Sequence, residues 1–218
     1  NAPTGTTDAL ANFATNAAEG SFTITNGRNF TQSGAFSNAG TLTVGSGSTL
    51  TLSGSLTNFS AGTLTGGTYN VLGTMRLPTT SDIVTNAATI ILDGAGSNLY
   101  NAPTGTTDAL ANFATNAAAG SFTIQNGRNF TRSAAFENNG IVAIGPGSTL
   151  TLSGGSGGDF SGSGTLRVSG GTVNVNTSSA YRLTGTTLVT GGTLSASGDL
   201  IGLSSGSLSP TGTMLNVS

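Results

Sequence analysis

The sequence predicts an all-β chain wound as a parallel β-helix, and three observations point there. Short runs alternate small-polar and apolar residues, as in Thr41-Leu42-Thr43-Val44 and Thr49-Leu50-Thr51-Leu52, the period of a strand with one buried face. Gly/Ser elbows such as Gly45–Ser48 separate these runs, and each run is too short to be stable unless another strand covers the same face. Finally, the chain repeats itself: residues 1–54 align without a gap with 101–154, identical at 43 of the 54 positions. A β-sandwich also uses short strands, but it needs no period and does not account for near-identical blocks.

Composition agrees. Gly, Ser, Thr and Asn make up 120 of the 218 residues, yet net charge is −2 and charged residues are 6%, so the high-charge, low-hydrophobicity signature of disorder is missing. There is no Cys, Lys, His or Trp. That excludes disulfides and thiolate metal sites. With six Arg as the only cations, it also removes the electrostatic footprint of a nucleic-acid binder. No apolar run approaches the ~20 residues of a membrane helix, and no basic-then-apolar leader opens the segment. The expected unit is a processed product or fragment whose export signal and anchor lie elsewhere.

Taken in order, NAPTGTTDALANFATNAA opens the chain and returns unchanged at 101–118. Within it, Asp8–Ala14 has apolar residues at 9, 10, 13 and 14, a helical spacing, with Thr7 or Asp8 suited to the N-cap. A helix of about two turns is expected, leaning Leu10 and Phe13 on the solenoid flank, with Leu110 and Phe113 repeating it. Ser21–Ile24 and Arg28–Thr31 read as strands around Asn26-Gly27, which in a β-helix turns a corner rather than closing a hairpin. In 41–52 the leucines and Val44 point inward and the threonines outward.

Beyond residue 54 the blocks still share words. Gly62-Thr63-Leu64 matches Gly164-Thr165-Leu166, Gly66–Val71 matches Gly170–Val175, and Met75-Arg76-Leu77 matches Tyr181-Arg182-Leu183. The inward slot of the G-T-L word falls at Leu42, Leu64 and Ile90, then at Val142, Leu166 and Leu188, steps of 22, 26, 24 and 22 residues. A period in this range is that of a solenoid coil. Two blocks are expected, 1–100 and 101–218, the second continuous with the first.

The words FSNAGTLTVGSGSTLTLSG and SGTLRVSGGTVNV, with their N-x-G-T-L, G-G-T and S-T-L-T-L-S-G cores, resemble the strand repeats of autotransporter passenger regions and filamentous-haemagglutinin-type secreted adhesins. The resemblance covers essentially the whole chain. It implies a right-handed parallel β-helix exported to the surface of a Gram-negative-type cell, with adhesion, biofilm or matrix roles. It brings no catalytic residues.

The residues themselves point away from catalysis. The eight acids (8, 19, 82, 93, 108, 137, 159, 199) are scattered, and without His, Lys or Cys the usual bases and nucleophile partners are missing. No catalytic, cofactor or metal residue is therefore assigned. Gly154–Asp159 matches the first six positions of a calcium-binding nonapeptide, but it stands alone and Ser161 takes the place of the large apolar residue, so it reads as an elbow. Thr-x-Thr words at 23/25, 41/43, 49/51, 63/65 and 149/151 have the look of an ice-binding face, but they are not spaced one per coil. Asn-x-Ser/Thr triplets at 29, 58, 129, 176 and 216 are what chance supplies in such a composition. Arg28, Arg128, Arg76 and Arg182 are placed to pair with acids one coil away.

The expected role is that of a structural extracellular module of a bacterial adhesin or fibre. Its partners would be its own copies or its own continuation, stacked end to end, with cell-surface or matrix polysaccharide as a further one. Nucleic acid and membrane insertion are not expected. The alternative is a carbohydrate- or ice-binding surface on the same scaffold. Both ends read as cuts through a continuing coil: Asn1 is where the block restarts at Asn101, and Thr213–Val217 still has strand character.

Overall fold

A strand with one apolar face must find a second apolar surface, and here each coil supplies it to the next. Leu42, Val44, Leu50 and Leu52 are each 1% exposed or less, while Thr41, Thr43, Thr49 and Thr51 are half-buried on the outside. The structure is a computed structural model describing residues 10, 12–154, 159–176, 181–196, 208–210 and 215–217. These form a parallel β-solenoid of about eight turns. Counting from their strands, coil 1 spans 15–32, coil 2 37–52, coil 3 59–76 and coil 4 85–100. Coil 5 spans 115–132, coil 6 136–152, coil 7 160–175 and coil 8 181–196, and strands Leu208–Pro210 and Leu215–Val217 add a partial ninth.

Each coil has three sides. The long side stacks Ser21–Ile24 on Thr41–Val44, then on Thr68–Val71 and Thr89–Asp93 of coils 3 and 4, and continues through Ser121–Gln125, Ile141–Ile144, Thr165–Ser169 and Thr186–Thr190. Its inward column runs Phe22, Leu42, Tyr69, Ile90, Phe122, Val142, Leu166, Thr187. A second side stacks Asn29–Gln32, Thr49–Leu52, Thr74–Arg76 and Asn98–Tyr100 in one sheet, and Phe130–Arg132, Thr149–Leu152, Thr172–Val175 and Thr193–Ala196 in another. Asn26 and Gly27, with φ of 58° and 72°, turn the corner between these sides, as expected of that dipeptide.

The third side is short and carries asparagine inward. Asn16 pairs with Asn38, and Asn86 with Asn116 and then Asn138; all five are buried. Asn86 Nδ2 donates to Asn116 Oδ1 at 2.9 Å, and Asn116 Nδ2 to Asn138 Oδ1 at 2.8 Å. The same amides donate to the backbone entering the long side, Ser121 O and Ile141 O. These asparagines thereby satisfy a backbone acceptor at the corner of the next coil, inside the stack, as buried amides require. Beyond the asparagines the coils nearly touch: a Cβ on Gly140 would meet the carbonyl oxygens of Gly120 and Ala117. An interior aromatic column, Phe113, Phe136, Phe160 and Tyr181, continues along this side with ring centroids 5.0–5.6 Å apart.

Three expectations are corrected. The described residues contain no helix: Asp108 bridges to Tyr100 and residues 109–112 form a turn. Asp108 Oδ1 accepts from Leu110 N at 2.9 Å, and Ala111 N and Phe113 N donate to Asp108 O and Leu110 O at 3.2 and 3.0 Å, closing tight turns three residues apart rather than a helix. So short a segment does not offset the cost of helix nucleation. Its apolar residues gain more by entering the core, where Leu110 and Phe113 are 0% exposed rather than leaning on a flank. In the first copy, residues 1–9 and 11 lie outside the described residues; Leu10 and Asn12 are turns.

The inward slots also differ. Leu64 is on the asparagine side, opposite Asn86, because Gly66 and Gly67 (φ 60° and 66°) bend the Thr63–Val71 strand and leave Tyr69 on the long side. In coil 8 Thr187 faces inward and Leu188 outward; the buried Thr187 hydroxyl is held by the Tyr181 hydroxyl. Finally, the shared words beyond residue 54 are not equivalent in space. Thr68–Val71 lies on the long side but Thr172–Val175 on the second side, paired with Thr149–Leu152. Met75-Arg76 is on the second side, and Tyr181–Leu183 on the third.

Candidate functional site

Five surface features are placed by this architecture. The first is its sparse charge. Arg182 Nε lies 2.6 Å from Asp159 Oδ2, and Arg128 Nη2 lies 3.6 Å from Asp108 Oδ2, so two of the arginines expected to pair across a coil do so. Arg76 does not: its guanidinium stacks 5.0 Å over the Tyr100 ring and donates to Gly105 O. Asp159 is the acid of the nonapeptide-like stretch, and its carboxylate faces an arginine; residues 155–158 lie outside the described residues. No group of three or more Asp, Glu, His or Cys gathers among the described residues.

The second feature is the outer surface of the second side. In coils 6 to 8 its outward positions are Thr149 and Thr151, Thr172 and Asn174, Thr193 and Ser195, in register and uncharged. Only the first pair is a literal Thr-x-Thr word, which is why a search for the word misses the array. Words 23/25 and 41/43 sit on the long side, where Ile91, Ala143, Arg167 and Leu188 occupy the corresponding outward column.

Third, a small hairpin, Phe59-Ser60 against Thr63-Leu64, turns on Ala61 and Gly62 (φ 47° and 76°) and borders a cleft of 270 Å³. Leu56, Phe59, Pro78, Ser55, Ser60 and Thr79 are among its lining residues. The fourth feature is the set of Asn-x-Ser/Thr triplets. Asn58 is structural: its Nδ2 donates to Asn38 O and Thr65 O, both at 2.8 Å, and its Oδ1 accepts from Asn38 N at 2.7 Å. Asn129 Oδ1 accepts from Thr149 N at 2.8 Å.

The fifth feature emerges from comparing the two copies. Coil 5 is sandwiched between coils 4 and 6, whereas among the described strands Ser21–Ile24 of coil 1 pairs only with coil 2. Phe122 and Phe113 are 0% exposed, but their counterparts Phe22 and Phe13 are only partly buried. Asn116 Oδ1 accepts from Asn86, whereas Asn16 Oδ1 has no donor among the described residues.

Inside the core, burial pushes the Tyr181 phenol up to about 12, the Thr187 hydroxyl opposing it, and it pushes the Tyr69 phenol higher still. Burial also lowers the Arg132 guanidinium from its ordinary value. Arg132, half-buried in register with Leu152, donates to Ala111 O at 3.1 Å, as Gln32 at the matching place donates to Phe13 O.

Comparison with known proteins finds no match: no family model covers the chain, no curated protein is significantly similar, and no solved structure is either.

Proposed function

We propose that the chain is a structural module of an extracellular bacterial adhesin or fibre, a right-handed stack that lengthens end to end into a stiff rod. One observation supports this most: the same two-coil unit is used at two heights. Coils 1–2 and coils 5–6 align without a gap and keep the same registers, Phe22 opposite Leu42 and Phe122 opposite Val142, Phe30 opposite Leu50 and Phe130 opposite Leu150. A unit that accepts neighbours on both faces adds length by translation, at about 4.8 Å per coil, and its contacts do not close into a ring. Right-handedness follows from the strong preference of parallel crossovers. The scattered charge fits a mechanical role, because side chains that tie coils together are not free for chemistry. The test is negative-stain microscopy and light scattering of the purified chain over a concentration series. Thin particles of constant width whose length grows with concentration are expected; a particle of one chain's mass at every concentration overturns the proposal.

A second reading, an ice-binding face, is favoured by the in-register, uncharged array of Thr149, Thr151, Thr172, Asn174, Thr193 and Ser195. Its outward groups recur at about 4.8 Å between coils and about 6.6 Å along a strand. Thermal hysteresis that Thr172→Tyr abolishes supports this reading; an inert chain removes it.

A further inference from the structure

We infer that the edge of coil 1 that no described strand covers is a docking face for a coil of the Ile83–Tyr100 kind carried by another copy of this block. The inference rests on the rod reading and names the contact by which the rod would grow. The chain supplies its own template, because coil 5 is a near-copy of coil 1 with that partner in place.

At the coil 4–coil 5 seam, Thr89–Asp93 pairs in parallel with Ser121–Gln125, placing Ile90 against Phe122 and Leu92 against Ile124. Asn86 completes the asparagine ladder by donating to Asn116 Oδ1. Two carboxylates then clamp the seam. Asp93 Oδ1 accepts from Asn126 Nδ2 at 2.7 Å and Asp93 Oδ2 from Gln125 Nε2 at 2.9 Å. Asp82 Oδ2 accepts from Asn112 Nδ2 at 2.6 Å, and Asp82 Oδ1 from Asn101 Nδ2 at 2.6 Å.

Coil 1 keeps the receiving half of this interface. Phe22 and Ile24 stand where Phe122 and Ile124 do, Asn16 Oδ1 has no donor among the described residues, and Asn12 and Asn26, the counterparts of Asn112 and Asn126, are exposed. Thr25 replaces Gln125, so one of the four amide donors is missing. The edge therefore calls for a strand with two inward apolar residues, an inward asparagine at its third side, and carboxylates in the register of Asp82 and Asp93. A generic peptide strand would satisfy the backbone but leave Asn16 and the two exposed amides unmatched.

The experiment extends the full chain. Residues 78–100 are duplicated ahead of Asn1, so that Tyr100 joins Asn1 as it joins Asn101, and hydrogen exchange is read at Phe22–Thr25. Exchange there should slow by about tenfold or more, a change equivalent to about 1.4 kcal/mol, while amides at Leu166–Val168 stay constant and report an intact body. A scrambled extension should give no slowing, and Asp82→Ala with Asp93→Ala in the added copy alone should return most of it. No slowing with the native extension overturns the inference. So does full protection of Phe22–Thr25 in the unextended monomer, which would mean that the chain covers this edge itself. Filaments that persist with the extension in place and protected would keep the rod but move its contact elsewhere. Protection without any filament from the parent chain would keep the docking face and remove the rod.

Discussion

Asn116→Ala isolates what the asparagine ladder contributes, because the same residue in the same local sequence occurs at Asn16 with one neighbour fewer. Asn116 accepts from Asn86 at 2.9 Å and donates to Asn138 Oδ1 at 2.8 Å and Ile141 O at 3.0 Å, all in a site with no solvent exposure. Removing it leaves Asn86 Nδ2 with Ala88 O and Ser121 O, and Asn138 Oδ1 with Gly140 N, so two groups keep partners and Ile141 O loses one. At about 1 kcal/mol per buried hydrogen bond, with a further penalty for an acceptor left dry, the cost is about 3 kcal/mol. Asn16 donates to Asn38 Oδ1 and Thr41 O and accepts from no described residue, so with one hydrogen bond fewer Asn16→Ala should cost less, about 2 kcal/mol. Hydrogen exchange coil by coil is the appropriate assay, since a stack can open locally and a single melting temperature blurs the difference. Asn116→Leu separates hydrogen bonding from volume; it should recover part of the loss, as Leu64 already occupies this position in coil 3. Equal effects at Asn16 and Asn116 would refute the ladder as a source of stability.

Leu150→Asp should unfold its coil at a cost of several kcal/mol, a charge in a dry core, while Thr151→Asp on the outside is mild; urea titration compares them. Gly140→Ala should cost about 1–3 kcal/mol because backbone carbonyls of coil 5 fill the space a Cβ needs, whereas Gly96→Ala, with nothing within 4 Å, should be near neutral by thermal melt. The buried tyrosines' contribution to stability should be constant below pH 10 and fall above it. The unfolded phenol loses its proton near 10 while Tyr181 holds its own to about 12, so the unfolded state binds fewer protons across that window and each such tyrosine removes about 1.4 kcal/mol per pH unit. Tyr181→Phe should flatten part of that alkaline slope in pH-dependent melts.

The inward residues of 41–52 and the Asn26-Gly27 corner were legible because alternation and turn chemistry are local. The side on which a word lands was not. Gly66–Val71 and Gly170–Val175 are nearly the same word on different sides, because a strand of alternating Thr and apolar residues fits any side of the coil. What decides is how many residues precede it, and the Phe59–Leu64 hairpin adds some that no periodicity reveals. The asparagine ladder was hidden by composition: in a chain rich in Asn an inward Asn looks like a loop residue. The recurrence of Asn16, Asn38, Asn86, Asn116 and Asn138 a few residues ahead of the long-side strands of coils 1, 2, 4, 5 and 6 was the available signal. Helical spacing at 108–114 misled because the same apolar residues serve equally well in a turn that feeds the core. The docking edge was not legible at all, since its sign is a difference in burial between identical residues.

Alternation already forbids a slip of one residue, which reverses every side chain, but with interchangeable strand words something else must forbid a slip of two. The few charges do this. Asp82 holds amides 19 and 30 residues away, Asp93 amides 32 and 33 away, and Arg182 an acid 23 away. Arg132 and Arg76 reach carbonyls 21 and 29 residues away. Each joins one coil to a neighbouring segment, and each has a mate at only one register. An exposed pair such as Arg182–Asp159 adds little to stability, about 0–1 kcal/mol, but a mismatched one leaves two unpaired groups at the seam. Charge is scarce here because repeated charges would match at several registers and specify none. The two carboxylates at the coil 4–coil 5 seam are the densest such code in the described stack, and they sit where one block gives way to the next. That placement is what a chain needs if its blocks are to join in one register only.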